Sequence, residues 1–198
     1  VGASTGELTI TNASGSCSIT ATKAGDTTYN PTTSAARSIT MAKASQTITA
    51  TVDTDPVVYG TTATLGSSGS SGTGAVTYSS GASTGCSASG TTLSVTNATG
   101  TCAVTATIAT DNNYTAATSG TLTVGLSKAD PTITFGSAPP ATFGDADFSV
   151  SATTENTDDD TLTYSQVSGP CALDSGSTFT ISGAGTCVVQ ADGAATPN

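Results

Sequence analysis

Five cysteines are the residues of this 198-residue chain best suited to covalent chemistry, and their spacing is regular. Cys17, Cys102 and Cys187 follow one another at intervals of 85, and Cys86 and Cys171 are also 85 apart. Cys86 to Cys102 and Cys171 to Cys187 therefore enclose segments of equal length. Such thiols can remain free in a core, where cysteine packs as a small apolar side chain, or they can pair. Recurrence of both members at one spacing favours one disulfide Cys86–Cys102 and another Cys171–Cys187. Metal binding by the thiols is disfavoured, because the chain has no His and no Cys-x-x-Cys pair. Closing loops of this size contributes about 3 kcal/mol each by restricting the unfolded chain, and implies an oxidising compartment outside the cytoplasm. At the place where a partner for Cys17 is expected stands Val1. Cys17 is left open between an unpaired buried thiol and an intermolecular crosslink.

Carboxylates are the second candidate group. Glu155, Asp158, Asp159 and Asp160, with Asp145 and Asp147, could supply the several oxygens that Ca²⁺ takes. Their spacing matches no calcium loop, and residues 43–127 have no carboxylates at the corresponding positions. The plainer reading is a solvated loop, with Ca²⁺ kept as a candidate cofactor and no other cofactor expected. Asp26 and Asp111 each stand three residues before a tyrosine, Tyr29 and Tyr114. There a side-chain-to-backbone bond in a turn accounts for the pattern better than ligand contact.

Catalysis has little to work with. No His can activate a serine, in the Gly-Ala-Ser-Thr-Gly runs at 2–6 and 81–85 or elsewhere, and aromatics are only 5%, too few to line a glycosidase cleft. Lys23, Arg37, Lys43 and Lys128 are the only cations against 14 Asp+Glu, a formal net charge of −10. No basic patch exists to neutralise phosphates, so nucleic acid is not an expected partner. No stretch approaches the ~18 apolar residues of a membrane span and no basic-plus-apolar leader is present. The first residue is Val rather than Met, so the expectation is a processed chain or a window on a longer one.

The elements that must position these residues follow from a repeat. Leu8-Thr-Ile-Thr-Asn-Ala-Ser-Gly-Ser-Cys17 recurs as Leu93-Ser-Val-Thr-Asn-Ala-Thr-Gly-Thr-Cys102, and again, one residue shorter, as Phe179-Thr-Ile-Ser-Gly-Ala-Gly-Thr-Cys187. Asp26-Thr-Thr-Tyr29 matches Asp111-Asn-Asn-Tyr114, and Lys43-Ala-Ser-Gln-Thr-Ile48 matches Lys128-Ala-Asp-Pro-Thr-Ile133. Tyr59-Gly60 matches Phe143-Gly144 with a one-residue slip. The Lys-Ala segments are natural joints. They predict the C-terminal half of a module at 1–42, a complete module at 43–127, and at 128–198 a module lacking its last strand.

Within 43–127 apolar residues alternate in short runs: Ile48, Ala50 and Val52; Ala63 and Leu65; Val76 and Tyr78; Leu93 and Val95; Cys102, Val104, Ala106 and Ile108; Leu122 and Val124. Period two broken by Gly, Ser, Asp and Asn clusters is a strand-and-turn pattern, and Thr, Val and Ile suit pleated surfaces. Leu, Ile, Val and Phe total 30 of 198 residues, below the ~20% under which a highly charged chain is suspected of disorder. Charged residues, however, are only 9%, and a sandwich needs one apolar face per strand. The expected fold is all-β, with six or seven antiparallel strands in each module.

These motifs resemble the bacterial immunoglobulin-like repeats found in tandem in secreted and surface proteins. Lys-Ala-x-Gln-Thr-Ile at the module start, Tyr-Gly, Val76-Thr-Tyr-Ser-Ser, Asn97-Ala-Thr-Gly-Thr-Cys102-Ala-Val-Thr-Ala-Thr and Asp111-Asn-Asn-Tyr114 carry the likeness, which covers nearly the whole chain. The resemblance implies tandem immunoglobulin-like β-sandwiches in a long extracellular or cell-surface chain, an adhesin or filament, and no catalytic residues.

The expected role is thus a non-catalytic structural repeat in the shaft of an extracellular fibre, filament or adhesin. Its expected partners are adjacent modules or copies of itself. The rivals are a module binding a surface glycan or host protein through its end loops, and a spacer or decoration domain of a virion or secreted enzyme. Thr-x-Thr runs such as Thr105-Ala-Thr107 are read as solvent-facing β-branched residues, since the repeat period is too long for the stacked arrays of an ice-binding solenoid. Asn12-Ala-Ser14, Asn97-Ala-Thr99 and Asn113-Tyr-Thr115 fit the glycosylation pattern, a weak signal in a chain with 44 Thr and 27 Ser. Lys43 and Lys128, at joints, are read as exposed lysines rather than isopeptide donors.

Overall fold

The computed structural model describes residues 6–198. Alternating Thr and small apolar residues build short strands throughout, and no helix occurs among the described residues.

Within 43–127 four antiparallel strands form one sheet in the order Thr49–Val52, Thr62–Ser68, Thr92–Val95, Cys86–Ser89. A second sheet centres on Ala103–Ile108. Val76–Ser79 lies along one side of it, and Ala117–Thr118 and Leu122–Thr123 along the other. Leu126–Ser127 pairs in parallel with Val57–Val58. The central strand reads as period two dictates: Val104, Ala106 and Ile108 are buried, with Ala103, Thr105 and Thr107 half-buried between them. One core cluster combines Ala63, Leu65, Cys86, Leu93 and Val95 from the first sheet with Cys102, Val104 and Val124 beside the second. Ile48 and Ala50 meet Ala106 and Ile108 in another. The apolar faces of both sheets therefore share their burial, which is how a chain with few large apolar side chains excludes water.

The expected six or seven strands are found as ten segments in 43–127, because the first and last strands are interrupted. Side chains take over ladder bonds at the breaks. The Asp53 carboxylate accepts from the Thr64 N–H at 2.8 Å. Ser119 Oγ accepts from the Ala106 N–H at 2.9 Å, and Asp55 accepts from the Gly125 N–H at 2.7 Å. Where a carboxylate or hydroxyl replaces a carbonyl, the regular ladder stops although the segment stays attached.

Residues 128–198 repeat this pairing. Ile133–Phe135 pairs with Ala152–Thr154, and Phe148–Ser149 pairs with Thr178–Ile181, which in turn pairs with Cys171–Ser175. Leu162–Ser168 pairs with Val188–Gly193. Phe179, wholly buried like Leu93, stacks on Phe148 with ring centroids 5.8 Å apart. Gly90 (φ 58°) and Gly176 (φ 53°) sit in the corresponding hairpins and adopt a left-handed conformation that a side chain disfavours.

Residues 16–40 form two short antiparallel ladders, Ser16–Ile19 with Arg37–Thr40 and Thr22–Lys23 with Thr32–Thr33. The registers Ile19↔Arg37 and Thr22↔Thr33 are those of Val104↔Leu122 and Thr107↔Thr118, 85 residues further along the chain.

Candidate functional site

Two disulfides are closed. Cys86 and Cys102 have Cα atoms 5.4 Å apart, and Cys171 and Cys187 have theirs 5.8 Å apart. Cys86 begins the outermost strand of its sheet and Cys102 immediately precedes Ala103–Ile108, so the bond ties one sheet to the other. Cys17 is free and half-buried, on the Ser16–Ile19 strand.

The two cystines differ in their cover. Cys86, Cys102 and Val124 are buried in one cluster, with Leu126 packed against it, and the Val124 N–H donates to the Cys102 carbonyl at 2.9 Å. Cys171–Cys187 instead lines a cleft of about 640 Å³ together with Phe135, Phe143, Phe148 and Val189. A second cleft of about 530 Å³ lies where 43–127 meets 128–198, between Tyr59 and the Lys128–Pro131 segment.

The acidic residues are not assembled into a metal site. Among the described residues no three His, Cys, Asp or Glu side chains converge to hold an ion. Asp145 and Asp147 are exposed, the former in a turn closed by its N–H donating to the Thr142 carbonyl at 3.1 Å. In the other loop the acceptors are engaged by the chain itself. Asn156 Oδ1 accepts from the Asp158 N–H at 3.0 Å, Asp159 from the Thr161 N–H at 2.9 Å, and Asp158 from the Asn198 amide Nδ2 at 3.2 Å. Glu155 and Asp160 are exposed beside them. Carboxylates spent on organising a loop are turned away from a shared centre.

Asp26 and Asp111 are likewise loop organisers. Asp26 Oδ1 accepts from the N–H groups of Thr28 and Tyr29, both at 2.8 Å. Asp111 Oδ1 accepts from those of Asn113 at 2.8 Å and Tyr114 at 2.7 Å, and its Oδ2 from Thr73 at 2.6 Å. These bonds stabilise the ionised form and hold both carboxyls below the usual range; for Asp111 the Thr73 N–H is the largest cause. Backbone bonds from Thr64 do the same to Asp53, and bonds from the Thr161 hydroxyl and N–H to Asp159. Asp26 and Asp53 are exposed, and Asp111 and Asp159 are half-buried. No polar or charged side chain is buried among the described residues, so burial does not tune any of them towards acid–base work.

A contact absent from the sequence reading lies at the junctions. Asn113 Oδ1 accepts from the Ala13 N–H at 2.9 Å, and Asn198 Oδ1 accepts from the Ala98 N–H at 2.8 Å. The two donors stand 85 residues apart, and so do the two acceptors. Only the sequence recurrence of Asn-Ala-Ser/Thr-Gly and of the Asp111 loop pointed to these segments, and it did not pair them.

No family model matches the chain, and neither a curated protein nor a solved structure is similar to it. Among the described residues no helix is long and apolar enough to cross a membrane.

Proposed function

We propose that the chain is a row of immunoglobulin-like sandwiches, repeating at the interval set by the cysteines, of the kind that recurs in bacterial surface and secreted proteins, and that its role is mechanical and non-catalytic. It would serve in the shaft of an extracellular fibre, filament or adhesin. The observation that carries this reading is the strand order of 43–127. Labelled A to G along the chain, its strands pair as A-B-E-D and C-F-G, the arrangement of a constant-type immunoglobulin domain. A-B-E-D and C-F pairing in 128–198, and F-G registers offset by one period in 16–40, support the same unit three times over.

Three further features favour a spacing role. The unit 43–127 has its own core, and 43–127 and 128–198 each have a cystine, so length grows by adding units whose stability is largely local. The disulfides are compatible with an extracytoplasmic, oxidising location. The perturbed carboxylates organise turns and leave no activated nucleophile. Negative-stain electron microscopy of the purified chain tests the reading. Elongated particles with bead-like units about one sandwich long are expected, and round, featureless particles would overturn it.

A further inference from the structure

Resting on the reading of the chain as a row of like units, we infer that successive units dock head to tail through one repeated latch, which fixes the angle between neighbours. The socket is the Asn-Ala-Ser/Thr-Gly turn between strands E and F. In the first unit Asn12 Oδ1 accepts from the Ser14 N–H and hydroxyl, both at 2.8 Å. In the second, Asn97 Oδ1 accepts from the Thr99 N–H at 2.9 Å and hydroxyl at 2.8 Å. That Asx turn turns the intervening alanine N–H outward as an unclaimed donor. The plug is an asparagine of the next unit: Asn113 takes the Ala13 N–H and Asn198 takes the Ala98 N–H.

Each plug is braced within its own unit. The Asp111 carboxylate ties the Asn113 loop to the Thr73 N–H. Asp158 holds Asn198 through its N–H at 3.3 Å and its Nδ2 at 3.2 Å. Asp158 occupies the position of Thr73 one repeat period later, so the brace spans the same two loops in both units, with the carboxylate exchanged from one loop to the other.

The covalent joint is short. At the first junction the ladder ends at Thr40 and resumes where the Ala44 N–H donates to the Asn113 carbonyl at 2.8 Å. At the second it ends at Ser127, whose carbonyl accepts from the Tyr59 N–H at 2.8 Å, and resumes at Thr132, whose carbonyl accepts from the Glu155 N–H at 3.1 Å. A single tether leaves a unit free to swing. A second attachment beside it removes most of that freedom. Because both latches use the same positions, the rotation from unit to unit is constant, and a head-to-tail contact with a constant rotation generates a regular superhelix rather than a flexible string.

Residual dipolar couplings of the full chain test the latch. In the unaltered protein one alignment tensor must fit both 43–127 and 128–198. Asn198→Ala should uncouple them, with tensor magnitudes differing about twofold or more, while amide shifts in the strands of each unit stay in place. Asn97→Ala, which dismantles the socket from the other side, must do the same, and it decides the matter if Asn198→Ala disturbs its own unit. A shared tensor in both variants, or separate tensors in the unaltered chain, overturns the latch. Failure of the β-unit reading itself would appear separately, in the amide shifts.

Discussion

Cys86, at the start of the outermost strand of one sheet, is bonded to Cys102, the residue before the central strand of the other, with Cα atoms 5.4 Å apart and both residues buried. In a unit with so few large apolar side chains, this bond substitutes for core volume. Replacing both by alanine should lower the stability of 43–127 by about 3 kcal/mol, read as a lower urea midpoint. The Cys171/Cys187 pair should behave alike in 128–198. In the folded oxidised chain a thiol reagent should titrate one cysteine, Cys17.

Leu93 and Phe179 are fully buried at corresponding places in the two units. Leu93→Ala should cost about 2–5 kcal/mol and Phe179→Ala about 3–5 kcal/mol. Leu93 belongs to a cluster drawn wholly from 43–127, and Phe179 stacks on Phe148 within 128–198, so each substitution should shift one of two denaturation transitions and leave the other nearly unmoved. A common shift of both would mean a single cooperative core.

Asp26, Asp53, Asp111 and Asp159 have folded-state pKa values held below their unfolded values. The stabilisation is therefore fully present above about pH 4, the unfolded aspartate value, and is lost as pH falls through the lower folded values. Thermal melts should be flat between pH 5 and 8 and fall below about pH 4. Asp111→Ala should lower the melting temperature at pH 7, and the difference from the unaltered chain should shrink as the pH falls below the unfolded aspartate value.

The six acidic residues Asp145, Asp147, Glu155, Asp158, Asp159 and Asp160 form no converging group with one another. Melting temperatures in CaCl₂ and in MgCl₂ of equal ionic strength should therefore agree. A rise specific to Ca²⁺ would require the 155–160 loop to rearrange into a site.

The all-β character was legible because period two is local: alternation at Cys102, Val104, Ala106 and Ile108 names the buried face directly. Non-local features were not. Val57 is almost wholly buried, yet nothing around Asp55-Pro56-Val57 marks a strand, because its partner is Leu126–Ser127, far along the chain. Asp53 and Asp55 take their roles from Thr64 and Gly125, backbone donors 11 and 70 residues away along the chain. Asn113 reads as part of a glycosylation pattern in the sequence; only the neighbouring unit gives its side chain a partner.

Single-molecule pulling of the full chain tests the mechanical account most directly. Stretched without reductant, the 43–127 unit should unfold as a discrete step with the Cys86–Cys102 segment still locked. After reduction the step should lengthen by the 16-residue separation of the bonded cysteines, about 5 nm at the extended-chain rise per residue. Smooth extension without a step, or a step length indifferent to reductant, would contradict a shaft built of sulfur-pinned β units.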